Sequence, residues 1–252
     1  MVARHQQRVR PDLTPRELRR AVRETFASYT HYWVESFRLP GTSGEVLEAG
    51  LRRDGDEHIH EALAAGKGCI LAMPHLGAWE WSAFWLATIY RYPISAVVEA
   101  VEPPELADWF TGLRSKLGMV VIPLDANAGA AAAGALKSGG ILTLLSDRDV
   151  AGGGIEVEFF GERTTLPAGP ATLALRTGAP LIPATTYFEG DAHYGLARPP
   201  LDTTRHGKFR EDVARITQDL AHEFEAMIRR APEQWHLLQP NWPSDHELVG
   251  SD

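Results

Sequence analysis

The chain is short of several features that would each announce a class of protein. One cysteine in 252 residues excludes an internal disulfide framework and any cysteine-based zinc site, and it fits a reducing compartment. No apolar run approaches the roughly 20 residues of a membrane-spanning helix, and the N-terminus lacks the apolar core of a signal peptide, so the chain is expected neither to span nor to be secreted. The Gly-x-Ser-x-Gly elbow of serine hydrolases is absent. So are internal repeats and any linker that would split the chain, which leaves one domain over residues 1–252. A net charge of −8 argues against nucleic acid as a partner.

The stretch from Cys69 to Trp81 is rich in what remains. The apolar run 69–73 has the length of a buried strand, Pro74 ends it, and 78–90 reads as a helix. His75 is therefore expected in a strand-to-helix loop with Glu80 one turn inside. In an α/β sheet such loops bind ligands, in the crevice beyond the carboxyl ends of the strands. An imidazole takes protons near neutral pH, and a carboxylate five positions on can hold one ring nitrogen protonated, leaving the other as a base. The competing reading of Glu80 is a side chain answering the helix dipole. Cys69, inside the strand, reads as a small buried hydrophobe.

Elsewhere, Thr14-Pro15-Arg16-Glu17 is a capping box opening an amphipathic helix over 14–40. Its apolar positions are Leu18, Val22, Phe26, Tyr29, Trp33 and Phe37, a stripe that suits a core or a lipid interface. Arg4, Arg8, Arg10, Arg16, Arg19, Arg20 and Arg23 crowd the same end, as on a solvated helix face or one turned to an anionic membrane. A helix is expected over 54–65; its His58 and His60, two apart, point in different directions and do not suit a metal. Strands follow at 94–98, delivering Glu99, and at 119–122, 141–145 and 181–186. Helices are expected from Pro103-Pro104 to Leu117, at 130–137, up to Arg176 and over 211–230, with a hairpin near Gly190. Lys137 stands too far past Gly134 for a phosphate loop. Strands alternating with helices predict a largely parallel sheet.

Two further clusters carry charge. Ser146-Asp147-Arg148-Asp149 follows the 141–145 strand and precedes a Gly152-Gly153-Gly154 loop, as an ion pair or a binding group would. Phe159-Phe160-Gly161-Glu162-Arg163 precedes Leu166-Pro167-Ala168-Gly169-Pro170. The sheet is expected to gather His75, Glu99, Asp149 and Glu162 along one edge. The aromatic tail around Trp235 and Trp242 is expected to dock.

In this order the clusters resemble the bacterial lipid A biosynthesis acyltransferase family, of the lysophospholipid-acyltransferase-like superfamily, over roughly residues 14–242. The matching motifs are Pro-His75-Leu-Gly-Ala-Trp-Glu80, Leu-Leu-Ser-Asp147-Arg148-Asp149, Phe159-Phe160-Gly161-Glu162 and Gly-Ala-Pro-Leu-Ile-Pro183. Trp235-His236-Leu-Leu-Gln239-Pro240 and the 166–170 segment are most similar to its phosphatidylinositol mannoside acyltransferase branch. Family members usually carry more chain before the Thr14 helix, including an apolar membrane-binding segment.

The resemblance implies a single α/β domain with a central sheet, the 14–40 helix preceding a catalytic core over 46–242. It implies no cofactor, acyl-CoA as donor substrate, a phosphoglycolipid acceptor, and a peripheral place on the inner, cytoplasmic face of the plasma membrane. His75 is then the general base on a mannose hydroxyl and Glu80 its orienting partner. With no elbow and its cysteine in a strand, the chain needs no acyl-enzyme. Arg148 and Arg163 suit phosphates, and Arg114 matches a family arginine that positions the donor. Glu99, Asp147, Asp149 and Glu162 suit sugar hydroxyls or a second contact to His75. Trp79, Trp81, Phe84 and Trp85 form either an acyl channel or ordinary core. Other acceptors, a thioesterase using the same base on water, and a non-catalytic acyl-lipid binding protein are the competing readings.

Overall fold

Short apolar runs separated by helices fold into a sheet covered by helices on both faces, as parallel strands require. The computed structural model describes residues 1–99 and 102–246. The strands are β1 (Leu51–Asp54), β2 (Cys69–Met73), β3 (Ile94–Val98), β4 (Val120–Pro123), β5 (Ile141–Leu145), β6 (Ile155–Phe159), β7 (Glu162–Leu166), β8 (Leu181–Glu189) and β9 (Ala192–Ala197). The first five helices are α1 (Val2–Val9), α2 (Pro15–Arg38), α3 (Gly44–Ala49), α4 (Glu57–Ala64) and α5 (Trp79–Trp85). They are followed by α6 (Pro104–Lys116), α7 (Ala128–Lys137), α8 (Gly169–Thr177), α9 (Phe209–Arg230) and α10 (Pro243–His246).

Seven strands form one sheet in the order β1-β9-β8-β2-β5-β3-β4, and β6 pairs with β7 as a separate hairpin. Within the sheet β8 and β9 run antiparallel, as the turn at Gly190 predicts, and the remaining pairings are parallel. The single α/β domain expected from the strand-helix alternation is therefore observed. Two differences follow from how strands pair, one with a partner distant in sequence and one with its immediate neighbour. Residues 51–54 join β9 as an edge strand, so the helix expected from 54 begins at Glu57. Residues 160–161 form the turn of the β6–β7 hairpin, and Glu162 and Arg163 open its second strand.

The register fixes where chemistry gathers. β2 and β5 lie side by side with Met73 opposite Leu145, so His75 and Asp147 each stand two residues beyond the same edge. β3 adjoins β5 on its other side and brings Glu99 there.

Helix α2 packs in an unexpected sense. Its capping box forms, with the Glu17 N–H donating to Thr14 Oγ1 and the Thr14 N–H to Glu17 Oε2. Its buried side, however, is Ala21, Thr25, Tyr32 and Ser36, whereas Phe26 and Phe37 are 49% and 51% exposed. Small side chains let the helix lie close to the body there, while of the larger apolar stripe Leu18, Val22, Tyr29 and Trp33 are half-buried and only Phe26 and Phe37 stand exposed. Periodicity reports a stripe, not which neighbour covers it.

The aromatic tail docks as expected, under α1, a helix not anticipated from its arginine-rich sequence. Trp235 and Trp242 are fully buried against Phe159 and His5. Asp245, 0% exposed, accepts from Arg8 (2.8 Å), Arg4 (3.1 Å), His5 (3.3 Å) and the Asn241 and Trp242 N–H groups.

Gly77, just past His75, shows how tightly the loop is seated. Its φ is +65°, and an added Cβ would lie 2.0 Å from the Thr186 carbonyl oxygen of β8. Gly77→Ala is expected to cost about 2–4 kcal/mol, lowering Tm by roughly 5–15 °C for a chain of this size. A thermal melt within about 2 °C of wild type would contradict this packing.

Candidate active site

β2 ends at Met73, whose carbonyl accepts the Ser146 N–H of the neighbouring β5 turn at 2.8 Å. That bond brings the two loops together. Asp147, completely buried, accepts the His75 N–H at Oδ2 (3.0 Å) and His75 Nδ1 at Oδ1 (2.6 Å). The indole N–H of Trp235 donates to Oδ2 at 2.8 Å. A carboxylate against Nδ1 fixes the Nδ1–H tautomer and leaves Nε2 with a free lone pair. Burial pushes the Asp147 carboxyl upward, but the facing imidazole and the hydrogen bonds from His75 and Trp235 outweigh it and hold the group below the usual carboxylate range.

Asp147, not Glu80, is thus the partner of His75. Glu80, 3% exposed at the start of α5, is bound by Arg114 of α6 through Nη2 to Oε1 and Nε to Oε2. Burial opposes the charge on Arg114, and the Glu80 carboxylate overcomes it, raising the guanidinium above its ordinary range. The His-x-x-x-x-Glu pair therefore divides between two tasks. Its histidine joins the adjacent strand's loop, and its glutamate ties α5 to α6.

His75 opens onto a cavity of about 610 Å³, whose lining includes Tyr29, Tyr32 and Trp33 of α2, Trp79, Val97, Leu144, Leu173 and Gln239. Glu80, Glu99, Arg114, Arg148 and Asp149 line it too. Arg148 donates to Glu99 at 2.5 Å, and its Nε is buried with no hydrogen-bond partner among the described residues. Asp149 accepts from Gly152 N (3.0 Å), Gly154 N (2.8 Å) and Thr165 Oγ1 (3.1 Å), so it shapes the glycine loop.

Two expected residues lie elsewhere. Glu162 is held by Arg8 (2.8 Å) and Ser244, and Arg163, with its side chain 81% exposed, pairs with Glu156 across the hairpin. Neither lines the cavity, because the hairpin carries them away from the sheet edge. Of the four aromatics on α5, Trp79 faces the cavity, its ring edge-on to His75 at 5.7 Å. Trp81, Phe84 and Trp85 are core, Trp81 stacking on His193 at 4.0 Å.

His236 was not anticipated as a site residue. It lines the cavity, its Nε2 lies 2.9 Å from Ser28 Oγ, and its Nδ1 is buried without a partner among the described residues. Burial, then the nearby His75, pushes it down to about 3.

A model of the bacterial lipid A biosynthesis acyltransferase family matches residues 6–244, and the chain belongs to that family. It is 40% identical over 227 residues to the phosphatidylinositol mannoside acyltransferase of Mycolicibacterium smegmatis, covering 89% of this chain and 73% of that protein. A protein of the same name from Mycobacterium tuberculosis is 39% identical over 223 residues, covering 86% of this chain and 69% of its own length.

Two outcomes test the charge assignments. Glu80→Gln leaves Arg114 buried and unpaired, and denaturant titration is expected to show a loss of about 3 kcal/mol or more. His236 stays neutral in the fold while the unfolded chain takes up its proton below about pH 6.5. Stability is therefore lost as pH falls from 6.5 toward 3, by about 2–3 kcal/mol at pH 4.5 for this residue. His236→Gln is expected to flatten that part of the stability-pH curve, and an unchanged slope would contradict the assignment.

Proposed function

We propose that the chain moves a long-chain fatty acyl group from acyl-CoA to a mannose hydroxyl of a phosphatidylinositol mannoside. The observation that carries this reading is the 2.6 Å His75–Asp147 contact at the mouth of a largely apolar cavity. The printed names of the relatives support the acceptor class.

His75 Nε2 removes the proton of the acceptor hydroxyl as its oxygen attacks the thioester carbonyl. Asp147 stabilises the imidazolium that forms. The tetrahedral intermediate collapses by breaking the carbon–sulfur bond, and His75 returns the proton to the departing thiolate. The new ester and free CoA balance the step. The acceptor itself is the nucleophile, since Cys69 is buried within β2 and burial pushes its thiol up to about 12. Arg148, with its free Nε, suits a phosphate of the donor or of the lipid head group, while Glu99 and Asp149 suit sugar hydroxyls. Arg114 acts on the donor side of the cavity through the α5–α6 tie.

A peripheral seat on the inner face of the plasma membrane belongs to the same proposal. Among the described residues no helix is long and apolar enough to cross a membrane. The exposed Phe26, Val34 and Phe37 of α2, with Trp109 of α6, stand beside cavity-lining residues, and Arg16, Arg19, Arg20 and Arg23 are on the same helix.

The test is thiol release from palmitoyl-CoA with and without a mannosylated phosphatidylinositol, the lipid being analysed by mass spectrometry. Wild type is expected to give acceptor-dependent release and an acylated glycolipid. His75→Ala and Asp147→Asn are expected to lower kcat by about 10²-fold or more with the fold intact. Release that ignores the acceptor would identify a thioesterase. A wild type that binds acyl-CoA but is inert with several lipid acceptors would identify a binding protein.

A further inference from the structure

The carboxylate that faces His75 is held from behind by a segment far away in sequence. Residues 234–236 run antiparallel to residues 75–77, with Leu76 opposite Trp235. The His236 N–H donates to the His75 carbonyl at 2.7 Å, and the Gly77 N–H to the Gln234 carbonyl at 2.9 Å. The same strap reaches the other loop twice, by Trp235 Nε1 to Asp147 Oδ2 (2.8 Å) and Asn241 Nδ2 to the Asp147 carbonyl (3.0 Å). It is pinned at intervals by α1, through Gln6 to Pro232 O (2.6 Å), His5 to Leu237 O (2.9 Å) and Arg8 to Asp245 (2.8 Å).

We propose that Trp235 is a positioning residue for acyl transfer, its indole N–H locking the Asp147 carboxylate in the rotation that aims Oδ1 at His75 Nδ1. With Oδ2 already engaged by the His75 N–H and the indole, the carboxylate cannot turn without losing two bonds inside a dry core. The strap thereby sets the spacing between the two loops that carry the pair. The inference rests on the reading of His75 as the base.

Removing the indole N–H leaves Asp147 a stronger base, which favours the imidazolium. The acid limb of kcat/KM is then expected to move to higher pH. The other charged groups around His75 are Glu80 with Arg114, Glu99 with Arg148, and Asp149; His236 adjoins, and His5, Arg8 and Asp245 lie behind the strap. None of them bonds to the Trp235 nitrogen, so none is unpaired by the change.

The experiment compares the full-length wild type with Trp235→Phe and with benzothienylalanine at position 235, which keeps the bicyclic shape and replaces N–H by sulfur. The proposal predicts a kcat about tenfold lower, a small change in KM for acyl-CoA, and an acid limb raised by about half a pH unit. In an Asp147→Asn background the same replacement is expected to cost little more, since the two act as one unit. Multiplicative losses with an unmoved acid limb in the benzothienylalanine protein would overturn the proposal and leave Trp235 as core. The NMR titration of the His75 ring without substrate separates the two readings. If His75→Ala still transfers acyl groups, the functional reading fails, and an upward move of the ring titration on replacing the indole still supports the positioning. If activity depends on His75 but neither limb nor ring titration moves, the positioning alone is wrong.

Discussion

A carboxylate without access to water is the constraint around which this end of the molecule is arranged. Asp147 has lost its hydration, and its charge persists because His75 and Trp235 supply three hydrogen bonds to its two oxygens. Those donors come from β2's loop and from the C-terminal strap. The strap is in turn fastened by α1 through the buried Asp245. Two buried carboxylates, Asp147 and Asp245, thus link both ends of the described chain to the carboxyl edge of the sheet.

A second buried carboxylate, Glu80, stands five positions from His75 and serves a different purpose. Its guanidinium partner on α6 makes it a tie between two helices flanking the cavity. The two acids are distinguished by their neighbours. One faces an imidazole, the other an arginine that keeps its charge. In the proposed reaction the same placement makes His75, which lines the cavity, the base.

Much of the scaffold could be read from residue patterns. The strands at 69–73, 94–98 and 141–145, the capping box at Thr14 and the turn at Gly190 are local signals, and each is where the pattern places it. Closeness in sequence pairs His75 with Glu80, and the fold pairs it with Asp147 instead. In a parallel sheet the nearest group to a loop residue lies on the adjacent strand's loop, 72 positions on in this case. A cue is present, since His75 and Asp147 each follow a five-residue buried strand by two residues. The hairpin that removes Glu162 and Arg163 from the cavity depends on β6 meeting β7, and the exposure of Phe26 and Phe37 depends on which side of α2 the body covers. Neither is written in local periodicity.

The central claim is that Asp147 holds His75 in the Nδ1–H form with Nε2 free. The most direct measurement is the pair of ring-nitrogen NMR shifts of His75 in the free protein at neutral pH. The account predicts a protonated, pyrrole-type Nδ1 beside an unprotonated, pyridine-type Nε2, a pattern lost in Asp147→Asn and kept in Glu80→Gln. A protonated Nε2 with a bare Nδ1 in the wild type, or a pattern that follows Glu80 instead of Asp147, would contradict it.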